Sequence, residues 1–112
     1  MLRCFFNVPM IITRHASLDS FGSFVKVVVD IQKEILSAGC ELHIDCADEL
    51  VQQGSLWENL WGANVYPEDN TIDFISLINI RPKVGNRSMK IENSDVKKKV
   101  ADIIKRLVLS MV

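Results

Sequence analysis

Residues 21–39, FGSFVKVVVDIQKEILSAG, decide the fold. Phe21, Phe24, Val25, Val28, Ile31 and Ile35 recur at helical spacing and gather on one face of a helix. Lys26 and Asp30 stand four residues apart on the outer side, as do Asp30 and Glu34. Ser17 or Ser20 is placed to cap the N-terminus, with Asp19 favourable to the helix dipole. Gly39 is placed as a left-handed terminator. The triplet Val27-Val28-Val29 favours a strand. The longer periodic run outweighs it, so a helix is expected.

Upstream, Ile11 to Arg14 reads as a short strand. Downstream, Glu41 to Cys46 alternates, with Leu42, Ile44 and Cys46 on one face and Glu41, His43 and Asp45 on the other, so a second strand is expected. Ala47 to Gln53 makes two turns of helix stopped by Gly54, and Ser55-Leu56-Trp57-Glu58 has the form of a capping box. Trp61 to Tyr66 reads as a strand, and residues 67–70 as the turn into TIDFISLINI, residues 71–80. Along that segment Ile72, Phe74, Ile78 and Ile80 share one face, while Asp73, Asn79 and Arg81 share the other with Ile75 and Leu77. A final amphipathic helix opens at Asn93 or Ser94 and carries Val96, Val100, Ile103, Ile104, Leu107 and Val108. The expected fold is α+β: a small, mainly antiparallel sheet of three to four strands with two main helices packed on one face.

A chain of 112 residues with 48% apolar content can bury a core as one domain without metal or disulfide support. No apolar run of about 18 residues is present to cross a membrane. Asn7 and Pro9 interrupt the apolar N-terminus, and no small-residue cleavage site follows, so it reads poorly as a signal peptide. Residues 1–9 are expected to be an extension, disordered and preceding a functional start at Met10, with residues 10–112 forming the domain. Three cysteines leave one thiol over in any paired scheme. On an extended strand Cys40 and Cys46 would lie about 20 Å apart, beyond disulfide reach. A reducing, cytoplasmic setting follows. Residues 1–80 hold 4 basic and 11 acidic side chains, and residues 81–112 hold 9 and 3. That asymmetry serves either internal charge matching or a local positive field for an anion.

The polar sheet face and the loop after it carry the candidate site. Strand parity groups Glu41, His43 and Asp45, and Asp73, Asn79 and Arg81, with Asn64 or Trp61 joining the latter according to register. Gly85-Asn86-Arg87-Ser88 offers an amide, a guanidinium and a hydroxyl to a carboxylate or phosphate. An ordinary wet sheet face and a glycine-permitted turn are the bland alternatives. A binding domain for a small anionic ligand or an acidic partner is therefore expected, without enzymatic activity or a cofactor. A small acid–base enzyme using His43 and Asp45 with Arg81 or Arg87 is the alternative. A third reading makes Trp57 and Trp61 anchors of a partner or homodimer contact. No metal-ligand spacing or nucleophile motif occurs. Lys97, Lys98 and Lys99 fan through about 200° on a helix, which argues against a nucleic-acid patch.

The blocks ELHIDCADELVQQGSLWENLWGANVYPED and DFISLINIRPKVGNRSMKIENSDVKKKV resemble a small prokaryotic family of single-domain proteins known only as a domain of unknown function. The similarity runs from about Ile11 to Leu107 and is most recognisable in Leu60-Trp61-Gly62, Tyr66-Pro67 and Asn79 to Ser88. It implies a soluble cytoplasmic protein and carries no catalytic residues with it.

Overall fold

Val25, Val27, Val28 and Val29 are all fully buried, at both parities. A strand covered on both faces requires this, and a one-sided helix does not. In the computed structural model, which describes residues 11–13, 24–66 and 68–107, the expected helix is instead a hairpin. Strand β2 (Val25–Asp30) pairs antiparallel with β3 (Ile35–Cys40), following a short β1 (Ile11–Thr13). Asp30 makes the turn: its Oδ1 accepts from the backbone N–H of Gln32 at 2.9 Å and of Lys33 at 3.0 Å. Glu34 closes it at φ 58°. The helical spacing of Phe24, Val25, Val28, Ile31 and Ile35 thus arises from two short strands and a turn.

Strand β4 (Leu60–Tyr66) lies on the other side of β2 and is followed by β5 (Thr71–Asp73). The sheet order is β1-β3-β2-β4-β5, with β1 parallel to β3 and the other pairs antiparallel. The α+β class and the mainly antiparallel sheet are as the sequence predicts. The two helices, however, take opposite faces. Helix α2 (Ser94–Leu107) lays Val100, Ile103, Ile104 and Leu107 on the rows Val29–Leu36–Trp61 and Val27–Ala38–Ala63. Burying each such side chain contributes roughly 1.5–3 kcal/mol, more than any single surface pair on this helix supplies. Asn93 Oδ1 caps α2, accepting from the N–H of Asp95 at 2.8 Å and of Val96 at 3.1 Å.

The opposite face carries Val28, Leu60 and Ile35 and is covered by α1 (His43–Gln52) through Cys46, Ala47 and Leu50. The strand expected over Glu41–Cys46 is thus the entry to a helix. Its alternating apolar residues mislead because Leu42 and Ile44 stay largely exposed. Gly39 does adopt a left-handed conformation, at φ 88°, but within a β-bulge rather than at a helix end. Lys26 opposes Cys40 while Val27 opposes Ala38, so Gly39 is the extra residue. The bulge turns Cys40 to the α1 face, where the Cys40 and Cys46 Cα atoms are 5.7 Å apart and a disulfide joins them. Expecting these cysteines about 20 Å apart rested on an extended chain between them. The bond removes the spacing argument for a reducing compartment. Closing so short a loop contributes about 2 kcal/mol in the chain-entropy account. Dithiothreitol is therefore expected to lower the melting temperature by several degrees. An unchanged melt, with both thiols shown free by alkylation, would mean that α1 docks without the bond.

The strand expected over residues 71–80 ends at Asp73. From there the chain forms a strap along β4. Ile75 bridges to Lys90, Leu77–Asn79 and Pro82–Val84 make single 3₁₀ turns, and Arg81 bridges to Asn86. No helix among the described residues is long and apolar enough to cross a membrane. The expected N-terminal extension lies outside the described residues.

Candidate functional site

Beyond Asp73 none of the described residues continues the ladder beside β4, so Gly62 presents an open backbone N–H and C=O. The Asn79 side chain fills that gap. Its Oδ1 accepts from Gly62 N–H at 2.8 Å, and its Nδ2 donates to Gly62 C=O at 3.0 Å and to Met89 C=O at 3.0 Å. A carboxamide carries the acceptor and donor pair of a peptide unit, so one side chain stands in for a strand residue. Asn86 does comparable work one level out. Its Nδ2 donates to the carbonyls of Asn79, Ser88 and Lys90, and its Oδ1 accepts from Glu92 N–H. Both amides are buried and fully engaged by the backbone.

Arg81 is half-buried and bound to carbonyls rather than to an acid. Its Nε donates to Ile78 C=O at 3.1 Å, Nη1 to Glu58 C=O at 3.2 Å, and Nη2 to Leu60 C=O. The guanidinium lies 4.6 Å from the Trp61 ring centroid and 5.5 Å from that of Trp57. Trp61 is buried, whereas Trp57, in the 3₁₀ turn before β4, remains 42% exposed. Further along, Ser88 Oγ donates to Glu92 Oε2 at 2.8 Å, and Arg87 N–H donates to the same oxygen at 3.1 Å. The Ser88 hydrogen bond holds the Glu92 carboxyl below its ordinary range. The donor-rich loop thus already carries a carboxylate from its own chain.

A cavity of about 380 Å³ opens on the α1 face of the sheet, between the start of α1 and the strap. Lys26, His43, Asn64, Tyr66 and Ser76 supply its polar lining. Lys26 and Asn64 are register partners across β2 and β4, so the sheet itself sets them side by side. His43, the first residue of α1, reaches down so that its Nε2 lies 2.8 Å from Ala63 C=O. A neutral ring donating from Nε2 keeps a lone pair on Nδ1. Leu42, Ile44, Leu77 and Met89 form the mouth and are 38–72% exposed. Asp45, Arg81 and Arg87 are not among the lining residues, so among the described residues no carboxylate or arginine meets His43 there. No cluster of three metal-ligating side chains occurs among the described residues.

A family model described as Protein of unknown function (DUF5674) matches residues 10–107. The chain belongs to that family. No curated protein and no solved structure matches it.

In this DUF5674 chain, strand parity misplaces the expected constellation. His43 and Asp45 sit on a helix, where two residues apart means nearly opposite sides, and Asp45 is exposed. Of the expected site residues the cavity gathers His43 and Asn64, while Asn79, Arg81 and Asn86 hold the strap. Lys26, Tyr66 and the apolar mouth are additions. Lys26 carried a signal, being the one charge inside the valine run of residues 25–29.

Burial pushes the His43 pKa below its ordinary 6.5, with the Lys26 charge acting in the same direction and the Ala63 hydrogen bond only partly opposing them. The folded chain therefore binds this proton less tightly than the unfolded one. The associated stability is complete above 6.5 and is lost as pH falls through the lowered native value. Denaturation midpoints are expected to decline on going from neutral to acid pH, and less so in His43→Gln, whose amide still reaches Ala63. Equal declines in both proteins would remove His43 as the cause.

Proposed function

We propose that this protein binds a small amphipathic anion, a carboxylate with an apolar body, in the cavity beneath Leu42 and Leu77. The observation that carries the reading is the division of its walls. Lys26, His43 and Asn64 line the inner part, and among the described residues no acidic side chain lines it. The mouth is aliphatic and exposed. Lys26 offers the ammonium for a head group, and its Nζ lies 4.9 Å from the Phe24 ring centroid, which holds the charge near the cavity. Isolated exposed aliphatics need no explanation, but four around one concavity suit an apolar ligand.

Thermal shift and calorimetry with medium-chain carboxylates and alcohols of matched length test this. The acids are expected to stabilise the fold more than the alcohols. Lys26→Gln should weaken the acid by about tenfold, the effect of losing roughly one charged contact, and leave the alcohol unchanged. Equal binding of acid and alcohol would refute the head-group role, and no binding of either would end the proposal.

A further inference from the structure

Helix α2 has two exposed flanks of different electrical character. One carries Lys99, Asp102 and Arg106 beside Glu34, and Arg106 Nη2 pairs with Glu34 Oε1 at 2.7 Å. The other carries Lys97, Lys98 and Lys105, which line a cleft of about 460 Å³ against β5. Among the described residues no acidic side chain lines that cleft. None of its three lysines is paired with a carboxylate among the described residues. Ala101 stands one turn before Lys105, where a long side chain would fill the space, and leaves the cleft open. Opposite the helix, Asn70 and Thr71 add neutral hydrogen-bonding groups, as does Ser94 at the start of α2 itself, and Ile72 and Phe74 supply an apolar wall. Lys97 Nζ lies 5.2 Å from the Phe74 ring centroid, so its charge is held at the cleft edge.

We infer that this cleft is a second binding site, separate from the cavity beneath Leu42, and that it takes a small phosphorylated compound. Three ammonium groups around one opening produce a concentrated positive potential on a chain whose net charge is −1. Lysine recognises phosphoryl oxygen as a point charge and needs no fixed fork geometry, which suits flexible side chains on a helix flank. The helix fan that weakens Lys97, Lys98 and Lys99 as a triplet does not matter here. Lys99 turns to the compensated flank, and Lys105 joins the other two from two turns away. The concavity favours a compact ligand over an extended strand.

Pyrophosphate titrated into ¹⁵N-labelled full-length protein, followed by amide chemical shifts at low and physiological salt, is the test. Saturable shifts are expected at Thr71, Ser94 and Ala101. Affinity should fall about tenfold in Lys98→Gln and in Lys105→Gln, as loss of one charged contact predicts. Lys83→Gln, on the exposed strap, should change nothing. Absence of saturation with millimolar pyrophosphate would overturn the site. So would equal weakening by Lys83→Gln, since that reports diffuse attraction. Tighter binding of a single-stranded oligonucleotide through the same lysines would overturn the small-ligand assignment.

Discussion

Asn79→Ala is expected to cost about 4 kcal/mol of stability, the sum of two or three lost hydrogen bonds and the burial of unpaired backbone groups. In a domain of this size that lowers the melting temperature by roughly 15–20 °C. Asn79 is fully buried and supplies both the acceptor for Gly62 N–H and the donor for Gly62 and Met89 C=O. Asn79→Asp separates the two halves of the interaction. It keeps an acceptor for Gly62 N–H but sets a carboxylate against two carbonyl oxygens, so it should be at least as damaging. Denaturant titrations of the wild type and both variants measure this directly. A loss below about 1 kcal/mol for alanine would show that the strap holds without its amide.

The same residue shows what the sequence concealed. Asn79 looks like a polar position on an outward strand face, because Ile78 and Ile80 flank it at the right parity. Side-chain replacement of a ladder partner has no local signature: it depends on where β5 stops, and β5 stops at Asp73 while β4 extends past it through Gly62 to Leu60. The β2–β3 hairpin was hidden for a different reason. A strand buried on both faces loses its alternation, and its run of valines then fits a helical spacing as well as any other. Asp30 falls on the outer side of the expected helix, and its side-chain hydrogen bonds to Gln32 and Lys33 compete with that helix only in the folded turn. By contrast α2 was legible to within a residue. One of its faces is wet, its cap is an asparagine, and the period survives. Strand β4 was legible as well, bounded by turns at both ends.

The site followed the fold. Once Glu41–Cys46 is taken as a strand, His43 and Asp45 must share a face and Cys40 and Cys46 must stand far apart. One misassigned element therefore moved both expectations together. His43 survived as a candidate because a helix start at the sheet surface also aims it inward, onto Ala63.

Gly62→Ala is the substitution that connects this architecture to the cavity. Gly62 does not lie in the left-handed region, so its requirement is close approach rather than backbone freedom. A Cβ there would sit 2.6 Å from both Cβ and Oγ of Ser76 and 3.2 Å from His43 Cδ2. Neither neighbour yields easily. Ser76 is 2% exposed, its N–H donates to Met89 C=O at 3.0 Å and its Oγ accepts from Ile78 N–H at 3.3 Å. The strap must lift, which stretches the Asn79 pair at the same glycine, and the cost is expected to reach about 3 kcal/mol. Lifting also displaces Ser76, Leu77 and Ile78, which wall the cavity, so carboxylate binding should weaken along with stability. The double variant Gly62→Ala/Ser76→Gly removes both clashing atoms. It should recover part of the loss even though Ser76→Gly alone destabilises by forfeiting the Ile78 cap. That pattern gives a coupling energy of about 1–2 kcal/mol in a double-mutant cycle, as expected for side chains in direct contact. Additive effects would mean that the strap accommodates a methyl group at Gly62 by moving elsewhere, and the close packing of strap on strand would then not set the shape of the cavity.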